Sequence, residues 1–336
     1  MGRMKTWVAL AVACLGSLAV GAAPAGATFA GRNGQLSTAW LDNDQGAHEE
    51  AEYAVVNLPW TNKTAGKNIV ACSSLDGCPV YAHPQYSPDG TELVYDDLPF
   101  VSGGGPQPKS VLSLSAPDGS GRVLIADPAN EQNYFEPSFL PSGKRLVFVR
   151  SASAGPEDSP PPHGEIVTSD LTGGEVRVVT SVLGADPVVS PNGRKVLFDH
   201  HGGIWVVGID GGTPRPLIRN GGFPDFSPDG RSIVYLSGAK QTLHEARADG
   251  SHARQVLGSF PGRRRRHPLQ YAGYPRFSPD GKQIAFAPAY YDPEGDPYVV
   301  RVPAAGGRVT PLWTTPSLDA GGTDLGIAWQ PLPAAG

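Results

Sequence analysis

The chain has 336 residues, of which 43 are Gly and 34 are Pro, with 40% hydrophobic residues and a formal net charge of −5. That much Gly and Pro excludes a helical protein, and the apolar share, without a long low-complexity tract, excludes disorder. The remaining class is many short strands joined by turns, and the acidic balance argues against nucleic acid as a partner.

Arg3 and Lys5 precede the apolar run WVALAVACLGSLAVGAA, and Ala25, Gly26 and Ala27 follow it. Basic residues, an apolar core and small residues in that order predict a secretory signal over 1–27, cleaved after Ala27. A permanent anchor is the weaker reading, because Gly16, Gly21 and Pro24 interrupt a run that barely reaches the roughly 20 residues a span needs. Lipidation at Cys14 is weaker still, with Ala11 a poor lipobox residue and apolar residues continuing past the cysteine. Removal of 1–27 takes away two bases and no acid, so the net charge moves to −7. The mature chain, 28–336, is expected to be a secreted monomer, extracellular or periplasmic, with no stable membrane span. Its two cysteines, Cys72 and Cys78, bound the short loop CSSLDGC, and an oxidising compartment predicts a disulfide between them. No paired His spacing accompanies them, so they do not form a zinc site.

Taken in chain order, GRNGQLSTAW at 31–40 reads as the second strand of a unit whose first strand is missing, and YAVVNLPWTNKTAGKNIVA supplies the next hairpin of that unit. Five similar segments follow: PQYSPDGTELVYDD from Pro84, PSFLPSGKRLVFVR from Pro137, PVVSPNGRKVLFDH from Pro187, PDFSPDGRSIVYLS from Pro224 and PRFSPDGKQIAFAP from Pro275. Their intervals are 53, 50, 37 and 51 residues, the spacing of propeller blades. Each holds a turn and then an apolar-polar alternation that reads as a half-buried strand. A second hairpin comes next, turning at Gly119, Gly173, Gly211, Gly250 and Gly306. The missing first strand lies at the other terminus, where LGIAWQP at 325–331 starts a repeat that never continues. Ile327–Trp329 is expected to pair beside Leu36–Trp40 and leave no open edge.

Within the turns, the reactive residues vary while the backbone-setting ones persist. Leu140 and Ser142 replace Ser and Asp in one copy, and Asn192 replaces Asp in another, whereas Pro88, Pro141, Pro191, Pro228 and Pro279 are each followed two residues on by Gly90, Gly143, Gly193, Gly230 and Gly281. Proline presets φ at the first corner and glycine supplies the left-handed residue of a bulged hairpin, so SPDG is a structural turn and not a catalytic pair.

This pattern resembles the WD40-like (PD40) repeat of the TolB family, whose units carry an F-S-P-D-G turn followed by an apolar strand. The resemblance runs from about Phe29 to Pro331 and implies an all-β, six-bladed propeller of four-stranded antiparallel blades, closed by pairing the C-terminal strand with the N-terminal blade. The Gly-His and Trp-Asp pairs of true WD40 blades are absent from the sequence, as is the α/β domain that precedes the propeller of TolB itself, so only the repeat carries over.

Antiparallel order places both tight turns of each unit at one end and all other connections at the opposite end. The long connections, 96–110, 151–165, 258–274 and 287–299, therefore share a face, which together with the channel mouth is the expected binding surface. Arg263, Arg264, Arg265, Arg266 and His267 form a basic run there that suits an acidic peptide, a phosphate or an anionic polymer, or else is a solvated loop. Asp292, Glu294 and Asp296 beside Tyr290 and Tyr291 form an acidic counterpart. Position twelve of a helix-loop-helix calcium loop starting at Asp292 would be Pro303, so that motif is absent. Asp42 and Asp44, ahead of Gly46, read equally as a solvated loop.

There is no G-x-S-x-G elbow, no H-E-x-x-H and no P-loop in the sequence. His48, His83, His163 and His267 fall in expected loops, and His200 and His201, at a strand end, point to opposite faces. The leading expectation is a non-enzymatic propeller without a cofactor that binds a protein, a peptide or a cell-envelope polymer through its long-loop face. The alternative is a metal-assisted propeller lyase or hydrolase, with calcium or another divalent ion at the channel mouth. A gate acting in trans on a peptidase is a third reading.

Overall fold

Four of the five repeats turn where their own Ser and Asp or Asn side chains hold them. Gly90 takes φ +73 and donates its N–H to the Ser87 carbonyl at 2.9 Å. The Ser87 hydroxyl accepts the Glu92 N–H at 2.9 Å and donates to Asp89 Oδ1 at 2.7 Å, and that carboxylate accepts the Thr91 N–H. The same bonds recur at Ser227 with Asp229, at Ser278 with Asp280 and at Ser190 with Asn192. Burial opposes the charge on Asp89, but the Ser87 and Thr91 donors outweigh it and hold the carboxyl below its ordinary range.

The computed structural model describes residues 29–42, 52–58, 67–72, 80–98, 109–125, 132–152, 163–238, 242–258, 271–289, 297–314 and 326–333. Strands β1 (Arg32–Asp42), β2 (Glu52–Leu58) and β3 (Lys67–Cys72) form an antiparallel sheet with the last strand, β23 (Ile327–Leu332), in the order β23-β1-β2-β3. Leu36 lies opposite Trp329, Ser37 opposite Ala328 and Thr38 opposite Ile327. A second sheet holds β4 (Val80–Tyr86), β5 (Leu93–Leu98), β6 (Val111–Ser115) and β7 (Val123–Ile125). Two more four-stranded sheets follow the same plan later in the chain. One has β15 (Gly221–Phe226), β16 (Ser232–Ser237), β17 (Thr242–Arg247) and β18 (Arg254–Leu257), and the other β19 (Tyr271–Phe277), β20 (Gln283–Ala289), β21 (Pro297–Pro303) and β22 (Thr310–Thr314).

Between them the repeats depart from separate four-stranded units. β8 (Asn133–Phe139), β9 (Arg145–Ser151) and β10 (Gly164–Asp170) lead into β11 (Arg177–Val189), which continues into β12 (Lys195–His200), β13 (Gly203–Gly208) and β14 (Gly211–Ile218) as one seven-stranded sheet. The first part of β11 pairs with β10 as far as Gly184, and from Ala185 onward it pairs with β12. The stretch SVLGADPVV has no Pro/Gly-rich loop to break it, so one strand serves as the last of one unit and the first of the next.

The first strands touch in sequence, β4 to β8, β8 to β11, β11 to β15, β15 to β19, β19 to β23 and β23 back to β4. Among the described residues six buried apolar clusters fill the spaces between neighbouring units. One joins Leu36, Ile327 and Trp329 to Ala285 and Val299, and another joins Ala328 and Val55 to Tyr81, Leu93 and Tyr95. Apolar area is thus removed from water between sheets, at about 25 cal/mol per Å², and not in a single central core.

The turns interlock by the same logic. Gly143 faces the Pro88 ring, Gly193 faces Pro141, Gly230 faces Pro191 and Gly281 faces Pro228. Gly90 faces the Pro331 carbonyl so closely that a Cβ would overlap it, and the Gly31 N–H donates to the Pro279 carbonyl at 3.1 Å. In three units the second tight turn lies against the first, where the Ala248 N–H donates to the Arg231 carbonyl and the Ala304 N–H to the Lys282 carbonyl, both at 2.8 Å, and the Ile209 N–H to the Arg194 carbonyl at 3.0 Å. Of the sequence expectations, the signal segment, Cys78, Arg263–His267 and Tyr290–Asp296 lie outside the described residues. Among the described residues no helix is long and apolar enough to cross a membrane.

Candidate functional site

In five first strands the residue before the repeat's first proline has positive φ: His83 at 47°, Glu136 at 53°, Asp186 at 49°, Phe223 at 55° and Tyr274 at 45°. The matching residue, immediately before β23, is Gly326, at 104°. At each of the five the ladder to the second strand shifts register, a β-bulge, as between Ala82 and Gln85 or Gly273 and Arg276. A non-glycine residue at such φ costs about 1–3 kcal/mol and persists only where its surroundings hold it.

Carboxylates reach from one unit to the next, and three of them hold such a residue by its N–H. Asp96 Oδ1 accepts the Glu136 N–H at 2.8 Å, and Glu136 Oε2 accepts the Asp186 N–H at 2.6 Å. Asp199 Oδ2 accepts the Phe223 N–H at 2.8 Å, and Asp225 Oδ2 accepts the Phe277 N–H at 2.9 Å. The chain of bonds is completed by His83, whose Nδ1 meets Asp96 Oδ2 at 2.6 Å and whose Nε2 meets the Tyr274 hydroxyl at 2.9 Å. Phe223 packs edge-on against Tyr274 with ring centroids 4.8 Å apart, and the Arg276 guanidinium lies 5.9 Å from the Tyr274 ring centre.

The electrostatics follow from burial among like charges. Burial pushes Glu136 and Asp199 well above the usual carboxylate range, and the neighbouring Asp186 adds to both. Burial also raises Asp96 and Asp186, against the pull of His83 on each. Asp199 Oδ1 is shut off from solvent and has no hydrogen-bond partner, which favours its protonated form. Burial opposes the proton on His83, but Asp96, Glu136 and Asp186 outweigh it and lift the imidazole to about 9. His83 therefore holds its proton at neutral pH. Among the described residues no three His, Cys, Asp or Glu side chains stand where they could hold a metal ion.

Sequence reasoning missed this cluster. His83 is not in a loop but buried within β4. The repeats align from their first proline, and the clustered residue is the one immediately before it, where His, Glu, Asp, Phe and Tyr share no chemistry. A signal existed in strand two, where Asp96 and Asp199 break otherwise apolar runs.

A second group lies at the end opposite the tight turns. His200 and His201 do not point apart: their ring centroids are 4.0 Å from each other, because His201 itself turns the chain with φ +49. Trp205 packs edge-on against His200 at 4.9 Å, and His200 Nδ1 bonds the Leu183 carbonyl at 2.7 Å. Burial, helped by His200 and His201, keeps His163 below its ordinary pKa. Leu183 is 53% exposed beside them.

No protein-family pattern matches the chain, and no curated protein matches it. Solved structures do. A chain of the nidogen/laminin complex superposes with a TM-score of 0.60 at 13% identity, covering 89% of this chain and 99% of that one. A protein described as a TolB, from Agrobacterium tumefaciens, gives 0.55 at 17% identity over 89% of this chain and 100% of its own. Hydrazine synthase from Kuenenia stuttgartiensis gives 0.62 at 14% identity over 91% of this chain and 48% of its own. At these identities the likeness establishes the fold, an all-β propeller.

Proposed function

We propose that the chain is a secreted, six-bladed propeller, closed by β23 beside β1, that binds a protein, a peptide or a cell-envelope polymer without catalysing a reaction. The observation that carries this reading is the unequal fate of polar groups at the two ends. At the turn end Ser and Asp side chains are consumed by their own turns, and the Pro and Gly residues pack against one another. Between the first strands the carboxylates are consumed by neighbouring backbone N–H groups. The opposite end gathers His163, His200 and His201 beside the exposed Leu183, and strand order leads us to expect the basic run Arg263–Arg266 and the acidic run Asp292–Asp296 on the same end. Loops on a rigid scaffold are the usual home of binding residues. A propeller of this shape occurs in the nidogen/laminin complex, which supports a protein partner as one option.

The test is a pull-down from envelope extract with the mature chain, two variants and metal analysis of the purified protein. Replacement of Arg263–Arg266 by Ser is expected to lose the partner, while Arg231→Ser at the turn end is expected to keep it. Equal capture by both variants refutes the assignment of the face. A stoichiometric metal, with capture unaffected by either variant, shifts the reading to a metal-assisted lyase or hydrolase.

A further inference from the structure

Three consecutive residues ahead of β1 touch units on both sides of the ring. The Gly31 N–H donates to the Pro279 carbonyl, in the turn between β19 and β20, and a Cβ on Gly31 would overlap the Leu332 carbonyl of β23. Ala30, one residue earlier, is exposed and lines a cleft with Ser227, Pro228, Phe277 and Pro279, between the unit of β15 and the unit of β19. Phe29 is 4% exposed and belongs to the apolar cluster of Val94, Leu112, Phe139 and Leu146, between the unit of β4 and the unit of β8.

In the order in which the first strands touch, these two joints stand opposite each other: β19, β23 and β4 lie between them one way round, and β15, β11 and β8 the other. A single peptide link separates Ala30 from Phe29, about 3.8 Å between Cα atoms. A link that short meets both joints by lying over the middle of the ring, because a path along the rim would have to pass three first strands. We propose that residues 29–31 are an axial plug, which closes the central passage at the turn end and leaves the opposite end as its mouth.

The sequence FAG suits each step of that path. Gly31 passes where any side chain would strike β23, Ala30 is small enough to leave the cleft open, and Phe29 supplies the bulk and the apolar area that hold the segment down. The segment is fixed again just after it enters β1, where Arg32 Nε donates to the Pro333 carbonyl at 2.8 Å and Asn33 Oδ1 accepts the Asp280 N–H at 3.1 Å. Cleavage at the expected site, after Ala27, leaves Thr28 alone ahead of the plug. A closed turn end agrees with binding at the long-loop end, but the plug needs no partner and its test uses none, so either reading can fail without the other.

Photo-cross-linking within the full mature chain tests the crossing, with benzoylphenylalanine placed at residue 29 or, separately, at residue 30 and the linked peptides identified by mass spectrometry. From residue 29 the links are expected in 93–114 or 134–148, and from residue 30 in 227–232 or 277–281. Links from both positions to the same unit, or none from residue 29, overturn the proposal. Aminopeptidase digestion followed by intact mass gives a second reading, in which the wild type is expected to lose Thr28 and stop, while Phe29→Ala loses residues 28–30 roughly tenfold faster. Equal trimming of the two chains overturns the plug as well.

Discussion

Two glycines with the same backbone conformation and different surroundings isolate what the interlocked turns contribute. Gly90 has φ +73 and Gly121 has φ +65, so replacing either by Ala carries the same left-handed strain, about 1–2 kcal/mol. At Gly121 a Cβ meets nothing within 4 Å, and that strain is the whole cost. At Gly90 the Cβ overlaps the Pro331 carbonyl and approaches Gln330 Cγ to 3.2 Å. Relieving that overlap moves the end of β23 and adds about 1–3 kcal/mol. It also endangers the bond from Gln330 Nε2 to the Gly90 carbonyl, 2.8 Å long and worth about 1 kcal/mol. Gly90→Ala should therefore cost about 4 kcal/mol and Gly121→Ala about 1.5 kcal/mol. Urea unfolding of the two variants and the wild type, with m-values compared to confirm a two-state transition, measures the difference. Equal losses would refute the packing of the first repeat's turn against the C-terminal strand.

Other consequences are as direct. Trp329→Ala removes a side chain 5% exposed from the cluster joining β23 to β20 and β21, and should lower stability by about 3–5 kcal/mol in the same urea assay. Tyr86→Phe deletes a hydroxyl bonded to Ser37 at 2.6 Å and Gln35 at 3.2 Å, and should cost about 1–2 kcal/mol with no change in fold by circular dichroism. Global stability should fall as pH rises from 6.5 to about 9, since a group whose pKa is raised by folding gives up its contribution over that window. For His83 alone the rise is worth about 3 kcal/mol, at about 1.4 kcal/mol per pH unit, and urea midpoints at pH 6, 7.5 and 9 will show it. At the acid end the sign reverses: Asp89, Asp229 and Asp280 titrate below their ordinary value, so the turns lose their contribution as pH falls below about 4.

The parts of this fold legible in sequence are those in which one residue type solves one backbone problem. Gly90, Gly143, Gly193, Gly230 and Gly281 all sit at positive φ, between 66° and 73°, and the prolines two residues before them pack on the next unit's glycine or close to it. The pairing of Leu36 with Trp329 follows from a first strand missing at one terminus and present at the other. What escaped sequence reasoning depends on convergence. His83, Glu136, Asp186 and Tyr274 come from four units and share only a place in the bulge, and their carboxyl, imidazole and phenol groups meet because the first strands meet. The fusion of two units through β11 was hidden because Pro187, which opens a repeat, instead sits inside a continuous strand. His200 and His201 misled for a related reason: strand alternation separates their rings, but the turn at His201 brings them together.

The central claim is a ring of six units held shut by its last strand, and removal of that strand tests it most directly. Thermal unfolding of the mature chain is compared with a deletion of residues 325–336 and with a deletion of Arg263–Arg266. The account predicts that losing Ile327, Ala328 and Trp329 exposes two inter-unit clusters and abolishes or sharply lowers the cooperative transition, while the loop deletion leaves it nearly in place. Equal melting temperatures for the two deletions would contradict it.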